Sequence, residues 1–149
     1  MNLNLRRLEW DDLYFAFECM KELAGYAKYS TDEFEKFIKS ENLIDHPDFW
    51  IVIAETECDR IGVISMNRYA MPRYIGFGIE IEEFIIHPNF QGKGYGKQVL
   101  KKCFEFYCGD SQLRRITVKS GGNDIASRLY KKHFDIMEMS GFVKKMNYI

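Results

Sequence analysis

Residues 86–97 read Ile-His-Pro-Asn-Phe-Gln-Gly-Lys-Gly-Tyr-Gly-Lys, IHPNFQGKGYGK, and the fold turns on why three glycines occupy alternate positions there. Glycine loses more conformational freedom on folding than any other residue, so grouping Gly92, Gly94 and Gly96 implies a sharp turn or a very close neighbour. Lys93 and Lys97 suggest that the neighbour is anionic. Upstream, GFGIEIEEFII (76–86) alternates Ile79 and Ile81 with Glu80 and Glu82, then becomes continuously apolar at Phe84, Ile85 and Ile86, which predicts a strand. Downstream, Val99, Leu100, Cys103, Phe104 and Tyr107 recur at helical spacing. A glycine turn between a strand end and a helix start aims several backbone N–H groups at one point. The helix dipole adds positive potential, so a phosphate or pyrophosphate is the expected guest. Two common phosphate loops fail on spacing. G-x-x-x-x-G-K-[ST] would need one more residue between Gly92 and Gly96 and a hydroxyl after Lys97, and G-x-G-x-x-G is replaced here by G-x-G-x-G.

Working outward, NLNLRRLEW (2–10) predicts a short strand, and Asp11 and Asp12 put negative charge at a helix start. Leu13, Phe17, Met20 and Ala24 mark one face of that helix, with Gly25 as its stop. Ser30 and Glu33 form a capping box before a second helix whose apolar face is Phe34, Phe37 and Ile38. FWIVIAE (49–55) and RIGVISMNRYA (60–70), joined by the polar TECD, read as a hairpin. RRITVKS (114–120) predicts a strand, and Asn123 an N-cap for the helix that follows. The tail around Ser140 and Gly141 reads as two further strands, with a longer helix to Met139 as the competing reading. The order β-α-α-β-β-β-α-β-α-β-β places a βαβ crossover, and hence one parallel strand pair, at the glycine turn.

At 149 residues, 46% hydrophobic and 29% charged, the chain reads as a single domain spanning 1–149. A net charge of −1 argues against a nucleic-acid partner, although Lys93, Lys97, Lys101 and Lys102 form a local basic group. Cys19, Cys58, Cys103 and Cys108 form no C-x-x-C pair, and three dispersed histidines (46, 87 and 133) make a metal site an unexpected feature. With no apolar leader and no run long enough to span a bilayer, the expectation is a cytoplasmic protein with reduced thiols and no membrane partner.

Gln91-Gly92-Lys93-Gly94-Tyr95-Gly96 resembles the Q/R-x-x-G-x-G/A loop of the GNAT superfamily, the acyl-CoA-dependent N-acyltransferases. EFIIHPNF (83–90) is similar to that family's fourth strand and the turn after it. Asn123, Ala126 and Tyr130 fall on its N-x-x-A-x-x-x-Y segment. The family often has Gly-Phe soon after that tyrosine. His133-Phe134 stands there instead, and Gly141-Phe142 comes late. The resemblance implies an α/β fold: a mixed, mostly antiparallel sheet of about seven strands flanked by about four helices, with the one parallel pair at the cofactor site.

It also implies acetyl-CoA as co-substrate, no metal, and transfer of its acetyl group to a primary amine of a small molecule or protein. The amides of residues 92–97 would hold the CoA pyrophosphate, with charge from Lys93 and Lys97 and with Gln91 and Tyr95 in the same loop. Phe84, Ile85 and Ile86 would run beside the pantetheine arm, with one of their amides polarising the thioester carbonyl. Asn123 would hydrogen-bond the pantetheine. An alkyl ammonium is only about 0.1% neutral near pH 7.4, so a base is useful, and Glu80 or Glu82 would serve directly or through water. Glu83 points to the opposite face unless a bulge intervenes. Tyr130 would return a proton to the departing thiolate. The first two helices would line the acceptor side with Glu18, Glu22, Tyr26 and Tyr29. A homodimer is allowed. The alternative reading is a non-catalytic module that senses acyl-CoA.

Overall fold

The computed structural model describes residues 2–24, 28–106, 110–118 and 125–134. Its strands, β1 (Asn4–Arg7), β2 (Phe49–Glu55), β3 (Arg60–Met71), β4 (Gly76–Ile86) and β5 (Leu113–Val118), form one five-stranded sheet in sequence order. All neighbouring pairs are antiparallel except β4–β5, which is parallel. Helices α1 (Leu13–Ala24), α2 (Thr31–Ser40), α3 (Tyr95–Phe106) and α4 (Ile125–His133) complete the described elements. The expected crossover is present: β4 leads through the glycine turn into α3 and returns in parallel as β5. The two tail strands expected beyond residue 135, and the Asn123 cap, lie outside the described residues.

Both faces of the sheet are covered, which is why β2 reads as an almost unbroken apolar run. Ile51, Ile53 and Val63 pack with Leu13, Ala16, Cys19 and Ile38 on the α1–α2 side. Val52, Ala54, Ile64 and Met66 pack with Val99, Leu100, Cys103 and Tyr130 on the α3–α4 side. The capping box starts α2 as its sequence predicts: the Glu33 amide donates to Ser30 Oγ at 3.1 Å, and the Ser30 amide donates to Glu33 Oε2 at 2.7 Å. Asp12 does more than favour a helix dipole. Fully buried, it accepts from Arg6 at 2.6 and 3.0 Å, from the Glu9 amide at 2.9 Å and pairs with Arg60 at 2.8 Å, tying β1 and β3 to the start of α1.

The alternation of β4 breaks once. Ser65 stands opposite Glu83 and Met66 opposite Ile81, so Glu82 is an extra residue on β4, a bulge. Past it, Phe84 and Ile86 join the α3–α4 core with Phe77, Ile79 and Ile81, while Ile85 turns to the α1–α2 side.

Candidate functional site

The described part of β5 reaches along β4 as far as the bulge. Their pairing runs from Phe77 opposite Leu113 to Ile81 opposite Val118, and among the described residues no strand covers positions 82–86 on that edge. Backbone direction alternates along a strand. The His87 amide donates to the Ile61 carbonyl at 2.9 Å and the Glu83 amide to Ser65 Oγ at 3.1 Å, both on the β3 side. By that alternation the amides of Phe84 and Ile86 face the open edge. The Ile86 carbonyl, on the same edge, accepts from Gln91 Nε2 at 2.8 Å. Gln91 thus fastens the glycine turn to the end of the strand.

A 3-10 turn, Pro88–Phe90, carries the chain from β4 into that loop. Gly92 has φ +74° and Gly94 φ +82°, the left-handed region where a side chain is strained. A Cβ at either position would meet nothing within 4 Å, so the turn requires glycine there for its conformation and not for lack of room. Gly96, in the first turn of α3, has no such constraint, and a Cβ there would make ordinary contact with Leu129 at 3.5 Å. Tyr95 packs edge-on against Phe90, ring centres 5.9 Å apart, and the Lys93 ammonium stands 5.7 Å above the same Phe90 ring. Lys93 and Lys97 are both exposed at the mouth of the turn. Exposed N–H groups at a helix start, two left-handed glycines and two cations suit a polyphosphate chemically. The open edge above them suits an extended amide chain. The loop and edge therefore fit the two halves of acetyl-CoA.

Tyr130 rises from α4 beneath this edge. It is buried, edge-on to Phe84 at 6.2 Å between ring centres and to Phe134 at 5.9 Å. On the other face of β4 a cleft of about 790 Å³ is bounded by α1, α2 and the sheet. Glu82 and Glu83 both line it, beside Ser65; Glu80 is not part of its lining. Glu83 therefore shares this cleft with Glu82, because the bulge reverses the phase that would have turned it away. Burial pushes the Glu83 carboxyl above the usual carboxylate range, and the neighbouring charge of Glu82 adds to the rise. The sequence carries a signal for this: core-facing apolar positions run 79, 81, 84, 86, and the step of three marks the bulge.

Of the residues expected on the acceptor side, Tyr29 lines the cleft. Glu18 instead approaches His87, Oε2 to Nε2 3.6 Å, and Glu22 is absent from the lining. Tyr26, like Asn123, is outside the described residues. Among the described residues there is no group of three or more His, Cys, Asp or Glu placed to hold a metal ion, and no helix long and apolar enough to cross a membrane.

The sheet with its single parallel pair and flanking helices is a fold shared with solved acetyltransferases. The family model described as Acetyltransferase (GNAT) family matches residues 3–135, and the chain belongs to this family. A GNAT family acetyltransferase from Staphylococcus aureus superposes with a TM-score of 0.74 at 23% identity, covering 98% of this chain and 100% of that one. An aminoglycoside acetyltransferase from an uncultured soil metagenomic sample, in complex with sisomicin, gives 0.71 at 17% identity and 97% coverage of both. A ribosomal-protein-alanine N-acetyltransferase from Brucella melitensis gives 0.77 at 11% identity, covering 98% and 100%. A search of curated proteins found no match. At these identities the structural likenesses carry the fold, and the acceptors in those names belong to those proteins.

Proposed function

We propose that the protein transfers the acetyl group of acetyl-CoA to a primary amine by direct attack in a ternary complex. One observation carries this reading: the β4 edge past the bulge, uncovered by any strand among the described residues, lies between Tyr130 on one face and the Glu82–Glu83 cleft on the other, and ends in the glycine turn. Acetyl-CoA supplies the activated acetyl thioester. The amides of residues 92–97, with Lys93 and Lys97, hold its phosphates, and the Phe84–Ile86 edge aligns the arm, with Asn123 as a further partner. The outward amide of Phe84 or Ile86 donates to the thioester carbonyl as negative charge builds there.

Glu83 is the base this geometry favours over Glu82 and Glu80. A carboxylate whose pKa is raised toward neutrality by burial accepts a proton from an ammonium more readily than an ordinary one. Glu83 passes the ammonium proton on to solvent through the cleft, and as the neutral amine nitrogen bonds to the acetyl carbon and the carbon–sulfur bond breaks, a second nitrogen proton passes to Glu83. Tyr130 gives its phenolic proton to the departing thiolate and recovers one from solvent. A covalent acetyl-cysteine route is disfavoured, because burial pushes the Cys19 and Cys103 thiols up to about 12.

The test is thiol release from acetyl-CoA with a panel of primary amines. Glu83→Gln is expected to lower kcat/KM by about 10²- to 10⁴-fold, and Tyr130→Phe to lower kcat, each with acetyl-CoA affinity retained. Binding of acetyl-CoA with no turnover on any amine would replace this reading with the sensing module.

A further inference from the structure

We propose that the acceptor is a primary amine carried on a hydrophobic, preferentially aromatic tail, taken in preference to a polycation; this deepens the acetyltransfer reading and rests on it. The cleft has two chemically different ends. At the sheet, Ser65, Glu82 and Glu83 supply its polar floor. The rest of the lining is largely apolar, formed mainly by Phe34 and Phe37 of α2, by Leu43 and by Phe49 of β2. Tyr29 and Phe34 lie nearly parallel, 6.4 Å between ring centres and 23° between planes, so the wall presents flat aromatic surface. Phe37 remains 57% exposed and Leu23 47% exposed where they border the cleft, apolar surface that a polar ligand would leave wet.

The carboxylates of the cleft suit an ammonium. Glu33 also lines the cleft, but its carboxylate already accepts from the Ser30 amide at 2.7 Å in the capping box of α2. Glu82 and Glu83 stand adjacent at the sheet end of the cleft, where an incoming amine would meet them. A ligand with several ammonium groups would set some of them against the apolar side chains of Phe34, Phe37 and Phe49, where they lose hydration and gain nothing from the contact. Molecules bearing one ammonium and an apolar tail meet no such cost. At about 790 Å³ the cleft is in the range that holds ligands of drug size, so the tail contributes substantially to binding.

The experiment measures kcat/KM at saturating acetyl-CoA for propylamine, hexylamine, 2-phenylethylamine, spermidine, an aminoglycoside and a short peptide with a free N-terminus, alongside a separate calorimetric titration of acetyl-CoA. Three added methylenes are expected to raise kcat/KM roughly 60-fold from propylamine to hexylamine, the product of about fourfold per buried methylene. Phenylethylamine should exceed spermidine and the aminoglycoside by a wider margin. Phe37→Ala, at a half-exposed position that the fold tolerates, should cut the hexylamine-to-propylamine ratio by about tenfold. If acetyl-CoA binds but chain length has no effect, or the polycations or the peptide are better acceptors, the hydrophobic-amine assignment is overturned and acetyltransfer stands. If acetyl-CoA fails to bind the folded protein, the parent reading falls and this one with it.

Discussion

Replacing Gly94 by alanine separates what the turn does for the fold from what it does for the ligand. Gly94 has φ +82°, and an added Cβ meets nothing within 4 Å, so there is no clash to relieve. The cost is conformational, about 1–2 kcal/mol for an L-residue in the left-handed region. Because residues 91–94 are exposed, the free protein can let the turn relax, and global stability should change little. Acetyl-CoA must then restore the strained turn to bind, which raises its Kd by about 5- to 30-fold. Gly96→Ala is the companion variant. Residue 96 is helical and outside the left-handed region, with only an ordinary contact to Leu129, so alanine there should hold or slightly raise stability. If phosphate lies against that residue, affinity still falls. Calorimetric titration and thermal unfolding of the three proteins give both quantities. Unchanged affinity in Gly94→Ala, with a lowered Tm, would show that the turn serves the fold and refute its role as a phosphate cradle.

Ser65→Ala removes the acceptor of the Glu83 amide at the bulge and is expected to cost about 1–3 kcal/mol in urea unfolding, with a larger proportional loss of activity as Glu83 shifts. Glu83 should show opposite pH signatures in activity and stability. Its raised carboxyl pKa gives kcat/KM an acid limb above the ordinary carboxylate range, absent in Glu83→Gln. The same shift means its stabilising contribution is full below the unfolded value near 4.3 and lost as pH rises through the folded value, so Glu83→Gln should gain Tm over wild type at pH 8 and not at pH 4. Burial opposes ionisation of Asp12, yet the Arg6 guanidinium, the Glu9 amide and Arg60 outweigh it and hold that carboxyl below its usual range. Its contribution is therefore present above about pH 4 and lost as pH falls through the folded value. Asp12→Asn should cost about 3 kcal/mol at pH 7, the low end for a broken buried pair because Arg6 and Arg60 are partly exposed and can rehydrate, and much less at pH 3 in the same unfolding assay.

Local chemistry was the legible part of this chain. The capping box at Ser30 and Glu33, the TECD hairpin and the glycine turn each depend on residues within four or five positions, and all form where their spacing puts them. The parallel pair followed from topology alone. The bulge was harder to read, because it depends on how β4 is matched to β3, and Ser65, which accepts the Glu83 amide, is 18 residues away. A strictly alternating strand places Glu80 and Glu82 together. The matched strand places Glu82 and Glu83 in one cleft instead, and only the three-residue step from Ile81 to Phe84 hints at it. Asp12 was legible only in part for the same reason. Its partners Arg6 and Arg60 come together only when β1 and β3 are brought to the start of α1, so sequence alone shows an acid at a helix start and not the centre of a buried ion-pair network.

Calorimetric titration of the wild-type protein with acetyl-CoA, with ATP and NAD as controls, tests the central claim most directly. Micromolar affinity for acetyl-CoA, unmatched by either nucleotide, is the predicted result and would establish what the glycine turn and the open edge of β4 hold. A folded protein that ignores acetyl-CoA, or binds ATP or NAD equally well, would contradict the cofactor assignment and remove the roles given to Glu83 and Tyr130.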